Sequence, residues 1–287
     1  MNKSDFFRRL AMLLGIATLS VAFTQQAVAQ DADADAAEYD AIEEVVSTGT
    51  RGQPRSVTES MVPIDVISGA EFTEQGGTNL SDLIRNVVPS YSVNVQPISD
   101  AATVVRPANL RGMAPDQTLV MINGKRRHRA AVIYWLGNGV ADGAQGPDIS
   151  VIPAIALKQV EVLRDGASAQ YGSDAIAGVM NFILKDARDG ASVDVSYGEY
   201  YEGDGAVKTI AANIGLPVGD DGFLNLSVEY GESDETDRSL QRDDAAALIA
   251  AGNTFVANPA QIWGSPIVDD DFKLMVNFGM VTGGGME

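Results

Sequence analysis

The sequence predicts an α+β domain, a small mixed sheet with short helices, followed by the first antiparallel strands of a transmembrane β-barrel. Three observations predict this fold class. A strand, a glycine-punctuated turn and a second strand are encoded between Lys158 and Lys185. Apolar residues at helical spacing lie between Leu80 and Val88. Beyond residue 190, runs of alternating apolar and polar side chains are typical of strands with one face toward lipid and the other toward a polar lumen.

Composition and charge exclude several classes of function. The chain has 287 residues and a formal net charge of −19, so it would repel nucleic acid and is poorly suited to an anionic lipid surface. The absence of cysteine excludes disulfides, thiolate metal sites and cysteine nucleophiles. A single histidine, His128, argues against a Ser-His-Asp triad and a two-histidine metal site.

The N-terminus has the pattern of a secretory signal peptide over residues 1–29. A positively charged start precedes an apolar run from Leu10 to Phe23, and Ala27-Val28-Ala29 forms an A-x-A cleavage site. The alternative, a membrane anchor, requires about 20 apolar residues, and this run is interrupted by threonine and serine. Residues 30–42 are acidic and alanine-rich, which predicts a disordered tail.

Residues 43–51 form a short extended segment that could add as a strand to the sheet edge of another protein. Main-chain hydrogen bonds would supply affinity, and Val45 and Val46 would supply side-chain contacts. The alternative is an edge strand of the protein's own fold. The segment consists of Glu43, Glu44, Val45, Val46, Ser47, Thr48, Gly49, Thr50 and Arg51.

Residues 52–187 carry the patterns of the α+β domain. A strand is predicted at 61–67, and Ser68-Gly69-Ala70-Glu71 is a capping box that opens a short helix ending near Gly76. A second helix stops before Pro89, and its apolar face is predicted to comprise Leu80, Leu83, Ile84, Val87 and Val88. Asn123-Gly124 signals a hairpin, and further strands are predicted at about 91–96, 104–111 and 117–123.

A long motif lies in the strand-turn-strand unit, where Glu161–Gly166 (EVLRDG) is followed by Tyr171–Asn181 (YGSDAIAGVMN). It closely resembles the end of the plug domain of TonB-dependent outer-membrane receptors. Further plug-like motifs extend this resemblance over about Glu43 to Lys185. The alternative is a similar unit in an unrelated α/β domain. The signature residues are Arg111, Gly112, Asn123, Gly124, Arg164, Asp165, Gly166, Tyr171, Gly172, Gly178 and Asn181.

The resemblance implies a function and partners. In place and in sequence, residues 43–51 resemble the TonB box, which such receptors offer to TonB, the partner of ExbB and ExbD in the inner membrane. The implied function is TonB-dependent active uptake of a scarce solute across a Gram-negative outer membrane, with the plug gating the barrel. An iron-siderophore is the default solute, and another metal chelate or an oligosaccharide remains open. No bond in the solute is broken, so we expect neither enzyme activity nor a cofactor.

Two alternatives remain. One is a secreted soluble binding or carbohydrate-active domain that uses paired carboxylates. The other is a non-functional truncated receptor product.

A basic cluster, Lys125–Arg129, precedes two aromatic residues. By resemblance, the stretch from here to about Pro147 includes a plug loop that faces the outside. We expect an anionic or aromatic ligand to be contacted by Arg126, Arg127, His128, Tyr134 and Trp135. The alternative is that the arginines pair with carboxylates of the inner barrel wall while Trp135 packs.

Residues 188–287 are predicted to begin the barrel, with alternating runs at about 193–197, 209–214, 224–230 and 272–279. A single-chain barrel needs at least about eight strands, so we expect the barrel to be incomplete in this chain. Residues 233–271 are predicted to be a long loop outside the cell. Asp243-Asp244 and Asp269–Asp271 could hold calcium, although a solvated acidic loop is the alternative and no metal site is predicted.

Overall fold

Two sheets organise the chain in the computed structural model, which describes residues 45–46, 48, 55–56, 64–75, 79–93, 105–134, 141–164, 167–261 and 264–280. All described residues fall within one unit, Glu43–Glu287. The predicted signal peptide and acidic tail lie outside the described residues.

The α-helices are α1 (Gly69–Glu74), α2 (Leu80–Val87), α3 (Ser168–Tyr171) and α4 (Asp243–Ala250). The strands are β1 (Val45–Val46), β2 (Arg55–Ser56), β3 (Ile64–Ser68), β4 (Tyr91–Val93), β5 (Ala108–Leu110), β6 (Thr118–Ile122), β7 (Lys125–Arg126), β8 (Leu157–Leu163), β9 (Gly178–Leu184), β10 (Ala191–Gly198), β11 (Val207–Val218), β12 (Gly222–Ser233) and β13 (Val268–Gly279).

The first sheet has five strands in the order β3-β8-β9-β6-β7. All neighbours are antiparallel except β6 and β9, so the sheet is mixed as predicted. One face packs beneath the helices, where Val160, Phe182 and Ile84 share a core cluster. The opposite face carries a smaller cluster that includes Leu163 and Val179. Because both faces are covered, β9 reads as a nearly continuous apolar run.

Helices α1 and α2 follow from local capping and periodicity. The predicted capping box forms, with Ser68 N donating to Glu71 Oε2 (2.6 Å) and Glu71 N donating to Ser68 Oγ (3.2 Å). Helix α2 buries Leu80, Leu83 and Ile84. The prediction for Val87 is wrong, because this side chain is 37% exposed, whereas Val88 just beyond the helix is fully buried.

Strands β4 and β5 pair over three residues each, and Arg111 and Gly112, both with positive φ (58° and 67°), turn the chain after β5. Residues 94–104, which include parts of the strands predicted at 91–96 and 104–111, lie outside the described part. The Asn123-Gly124 hairpin is confirmed, since both residues have positive φ (48° and 73°) and join β6 to β7.

The second sheet consists of β10-β11-β12-β13, all antiparallel. Its side chains alternate as predicted: Val195, Ile210 and Leu274 are exposed on one face, while Asn213, Asn225 and Ser227 are buried on the other. This is the face pattern of barrel strands with a polar interior.

The connections between these strands differ from the predicted long loop. Helix α4 forms within it, beginning at the acidic pair Asp243-Asp244, whose charge is favourable at a helix N-terminus. The prediction that Asp269–Asp271 lie in a loop is wrong, because β13 already begins at Val268.

Polar contacts join the two sheets. Asn277 Nδ2 donates to the carbonyl of Lys185 (2.9 Å), directly after β9, and Asn123 Nδ2 donates to Asn277 Oδ1 (3.1 Å). Arg188 Nε donates to the carbonyl of Gly222 (3.1 Å) at the start of β12. The end of β9 and the β6–β7 turn are therefore held against the inner face of the second sheet.

Candidate functional site

The described part of segment 43–51 lies within the protein's own fold. Strand β1 pairs antiparallel with β2, with Val45 opposite Ser56 and Val46 opposite Arg55. Thr48 is 1% exposed. The prediction that this segment is extended on an exposed terminus is therefore wrong at Thr48 in this state. The alternative, an edge strand of the protein's own fold, describes the observed pairing of β1 with β2. The other residues of the segment lie outside the described part.

Thr48 is held by a buried polar network. Its amide donates to Glu161 Oε2 (2.9 Å), and its hydroxyl donates to the same oxygen. Asn181 Nδ2 lies 3.1 Å from Glu161 Oε2 and 3.2 Å from Thr48 Oγ1. Gln159 Nε2 donates to Glu161 Oε1 (3.0 Å). Several donors thus converge on one carboxylate, which offsets the cost of removing it from water.

The position of this network follows from strand register. Glu161 on β8 lies directly opposite Asn181 on β9, so both side chains project from the same face of the sheet. Their neighbours Val160 and Phe182 pack on the helix-covered face. Glu161 is 1% exposed and Asn181 fully buried. The two motif residues therefore form a polar dock for Thr48.

The dock is tied to the β6–β7 turn. Asn181 Oδ1 accepts from the amide of Gly124 (2.9 Å), and Asn123 N donates to the carbonyl of Phe182 (2.9 Å). Leu184 N in turn donates to Asn123 Oδ1 (2.9 Å). The signature residues Asn123, Gly124 and Asn181 therefore act as one unit that fixes how β6 and β9 meet.

A second group of signature residues meets at the opposite end of these strands. Arg111 Nη1 donates to the carbonyl of Arg164 (3.0 Å), and Arg164 pairs with Asp65 (2.6 Å). Gly178 has φ +146°, and a Cβ on it would lie 2.5 Å from the carbonyl oxygen of Leu163. Only glycine fits where β9 begins this close to the end of β8.

Other signature residues shape turns. Gly112 and Gly172 both have positive φ (67° and 92°), and Tyr171 ends α3. Asp165 and Gly166 lie outside the described residues.

The predicted ligand contacts are only partly gathered, because Arg126 and Arg127 line one small cavity whereas Tyr134 and His128 are not part of its lining. Tyr134 is fully buried, its hydroxyl donates to the carbonyl of Val105 (2.8 Å), and burial raises its pKa to about 12. Arg126 pairs with Asp174 and donates to the carbonyl of Tyr171 (3.0 Å). The prediction of ligand contact is thus wrong for Tyr134 in this state, and Arg126 already has partners on the same domain.

The other three residues have different surroundings. Arg127 is half-buried and His128 is exposed, while Trp135 lies outside the described residues. Arg126 pairs with a carboxylate of its own domain, rather than with the inner wall that the alternative named.

Glu161 is a functional residue that was not among the predicted site residues. It stands between Val160 and Val162 in an apolar strand. An acid at such a position is the available signal, because a charge is rarely buried without partners.

Within the described ranges, no cluster of three or more His, Asp or Glu side chains could hold a metal ion. In the same ranges no helix is both long enough and apolar enough to cross a membrane.

Comparison with known proteins finds a family match over most of the first sheet. Residues 56–179 match the TonB-dependent Receptor Plug Domain. The chain is 29% identical over 189 residues to a ferric enterobactin receptor of Pseudomonas aeruginosa, covering 63% of this chain and 24% of that protein. It is 35% identical over 109 residues to a probable TonB-dependent siderophore receptor, PirA, of Acinetobacter baumannii, covering 37% of this chain and 14% of that protein.

An iron-regulated outer membrane virulence protein of Vibrio cholerae is 27% identical over 171 residues, covering 58% of this chain and 23% of that protein. The chain thus spans about a quarter or less of the length of these relatives. The family match, the plug motifs and the mixed sheet agree with one another, and residues 56–179 of this chain therefore have the fold of a TonB-dependent receptor plug domain.

Proposed function

We propose that this chain is the plug-bearing part of a receptor that takes up a ferric siderophore across the outer membrane. The observation that carries the proposal is the plug domain at residues 56–179, shared with relatives that are named as siderophore receptors. The signal-peptide pattern at 1–29 supports export, and one relative is named as an outer-membrane protein. Transport leaves the solute chemically unchanged, so the protein is not an enzyme.

TonB, acting with ExbB and ExbD, is the proposed partner of residues 43–51. The pairing of Val45 and Val46 with β2 supports this, because a segment that forms one antiparallel ladder can form another with a partner. Thr48 must leave Glu161 and Asn181 for the whole segment to be offered. Uptake therefore requires two states of the plug, one docked and one released.

A ligand can favour the released state only if it binds that state more tightly. The contacts of Thr48 contribute to the free energy of docking, since its amide and hydroxyl both donate to a buried carboxylate. Bound siderophore would have to weaken these contacts through β8 and β9, the strands that carry Glu161 and Asn181. The dock is thus the proposed point of control.

Uptake of ferric enterobactin, the ligand named for the P. aeruginosa relative, tests the proposal. Cells that carry the receptor should accumulate iron-55 supplied as this chelate, and a protonophore should abolish accumulation. Val45→Pro should also abolish it, because proline removes the amide hydrogen needed for strand addition. Val45→Ile is the matched control and should transport normally. Equal accumulation in cells with and without the receptor would contradict the proposal.

Location and mass are tested separately. An antibody against the peptide Tyr171–Asn181 should detect the product in the outer-membrane fraction, well above the 30.3 kDa of this chain. A soluble periplasmic band near that mass would instead favour a secreted domain or a truncated product.

A further inference from the structure

A small cavity lies beside the edge of the five-stranded sheet, between β6 and the chain that follows β7. Its volume is about 60 Å³. The polar residues that line it include Asp116, Thr118, Arg126, Arg127, Arg129 and Asp174. A water needs about 10–15 Å³ by this measure, so the cavity has room for a few waters or one small oxyanion.

The cavity has an excess of positive charge. Three arginines line it against two carboxylates. Arg126 is neutralised by its ion pair with Asp174. In the described ranges no carboxylate lies within ion-pairing distance of Arg127 or Arg129, and no Lys or Arg lies within that distance of Asp116. Two guanidinium groups are therefore available to an anion.

Two buried polar atoms at the cavity lack a hydrogen-bond acceptor. Thr118 is 2% exposed, and its hydroxyl has no hydrogen-bond partner. Arg127 Nε is also buried and unpartnered in the described structure. Buried polar groups are almost always hydrogen-bonded, so a pair of unsatisfied donors around one cavity indicates an absent acceptor.

Strand register brings these donors together. The amide of Arg127 donates to the carbonyl of Val120 (2.9 Å), which extends the pairing of Met121 with Arg126 beyond β7. Arg129, two residues further along, lines the same cavity as Thr118. The hydroxyl and two guanidinium groups thus come from adjacent stretches of backbone.

We propose that this cavity is a binding site for a small oxyanion of the phosphate type, held by Arg127, Arg129 and the hydroxyl of Thr118. Arginine offers paired donors that match the oxygens of phosphate, and the threonine hydroxyl supplies a further donor. The site is independent of the solute that the receptor transports. Arg126 has a positioning role, since its ion pair with Asp174 keeps that carboxylate off the anion.

Inorganic phosphate is the probe for this site. The receptor is purified from outer membranes in detergent, and binding of phosphorus-32 phosphate is measured by equilibrium dialysis at low ionic strength. We expect saturable binding of one phosphate per chain, weakened by added salt because the contacts are ionic. Arg127→Gln and Arg129→Gln should each weaken binding about tenfold or more, since each removes charge-assisted hydrogen bonds.

Matched variants separate a specific loss from misfolding. Lys125→Gln removes the same charge from the exposed edge strand β7, outside the lining, and should leave phosphate affinity unchanged. Asp116→Asn removes the opposing carboxylate and should tighten binding severalfold, an effect that a misfolded variant cannot produce. Absence of saturable binding to the wild type would overturn the proposal, as would equal losses in Lys125→Gln and Arg127→Gln. Saturable binding would be absent, for example, if an acidic side chain from the rest of the receptor occupied the cavity.

Discussion

Replacing Thr48 by valine tests whether the Glu161 carboxylate holds the N-terminal segment. Valine keeps the shape of threonine but removes the hydroxyl that donates to Glu161 and accepts from Asn181. The amide contact between residue 48 and Glu161 remains (2.9 Å). The variant therefore weakens the dock without opening a cavity.

The magnitude follows from the two contacts that are lost. A hydrogen bond to a charged group contributes about 1.5–3 kcal/mol and a neutral one about 0.5–1.5 kcal/mol. Their loss should weaken docking by about 2–4.5 kcal/mol, which corresponds to a rise of roughly 30- to 1,600-fold in the ratio of released to docked segment.

Amide hydrogen exchange at residue 48 is the assay. The amide is buried and hydrogen-bonded in the docked state, so it exchanges only when the segment is released. Exchange at this position should accelerate in Thr48→Val by about the factor by which the released fraction rises. Thr209→Val, a matched substitution on β11, should leave exchange at Thr48 unchanged. An unchanged exchange rate in Thr48→Val would refute the docking argument, because the hydroxyl would then contribute nothing to it.

Three further predictions concern stability. Asn181→Asp would place a second carboxylate against Glu161. The buried repulsion should lower the free energy of unfolding by about 3 kcal/mol or more, measured by thermal melting. Asn253→Asp, in an exposed turn, is the control and should have little effect. Gly178→Ala should cost at least about 2 kcal/mol, because its Cβ would overlap the carbonyl of Leu163, while Gly198→Ala meets nothing within 4 Å; equal melting temperatures would contradict this. Burial raises the pKa of Tyr91 from 10.0 to about 12, so the folded state retains this proton where the unfolded chain loses it. This contribution to the free energy of unfolding, about 2–3 kcal/mol, is fully present below pH 10 and is lost as the pH rises through 12. Alkaline melts of Tyr91→Phe should therefore show a shallower fall in stability than those of the wild type. Parallel stability curves for the two proteins would count against the prediction.

Local patterns were sufficient for many elements of the fold. The capping box at Ser68, the α2 face and the Asn123-Gly124 turn are encoded by neighbouring residues, because each depends on backbone geometry within a few positions. The alternation of β10 to β13 was equally readable, since one face of each strand is apolar and the other polar. The exposure of Val87 could not be read in this way. Periodicity places a residue on a helix face, but the neighbouring elements decide how wide a stripe is covered.

The candidate site was only partly predictable. The segment 43–51 and the motif around Asn181 were recognised in the sequence, but the contact between Thr48 and Glu161 spans 113 positions. No local pattern specifies such a contact. Arg126, Arg127, His128 and Tyr134 were grouped because they are close in sequence. The structure keeps Arg126 and Arg127 on one cavity but leaves His128 exposed and buries Tyr134 elsewhere, because β7 and the following chain turn successive side chains into different surroundings.

The sequence by itself determined the family motif, the division into an α+β domain and alternating strands, and the residues that turns require. Tertiary structure alone decided that Glu161 is a buried acceptor and Tyr134 a buried donor. It also decided that the Thr118 hydroxyl and the arginines line one cavity. The physical reason is that burial and hydrogen-bond partnership are properties of the packed sheet. They depend on which strands become neighbours and in which register, and here β9 lies between β8 and the sequentially distant β6.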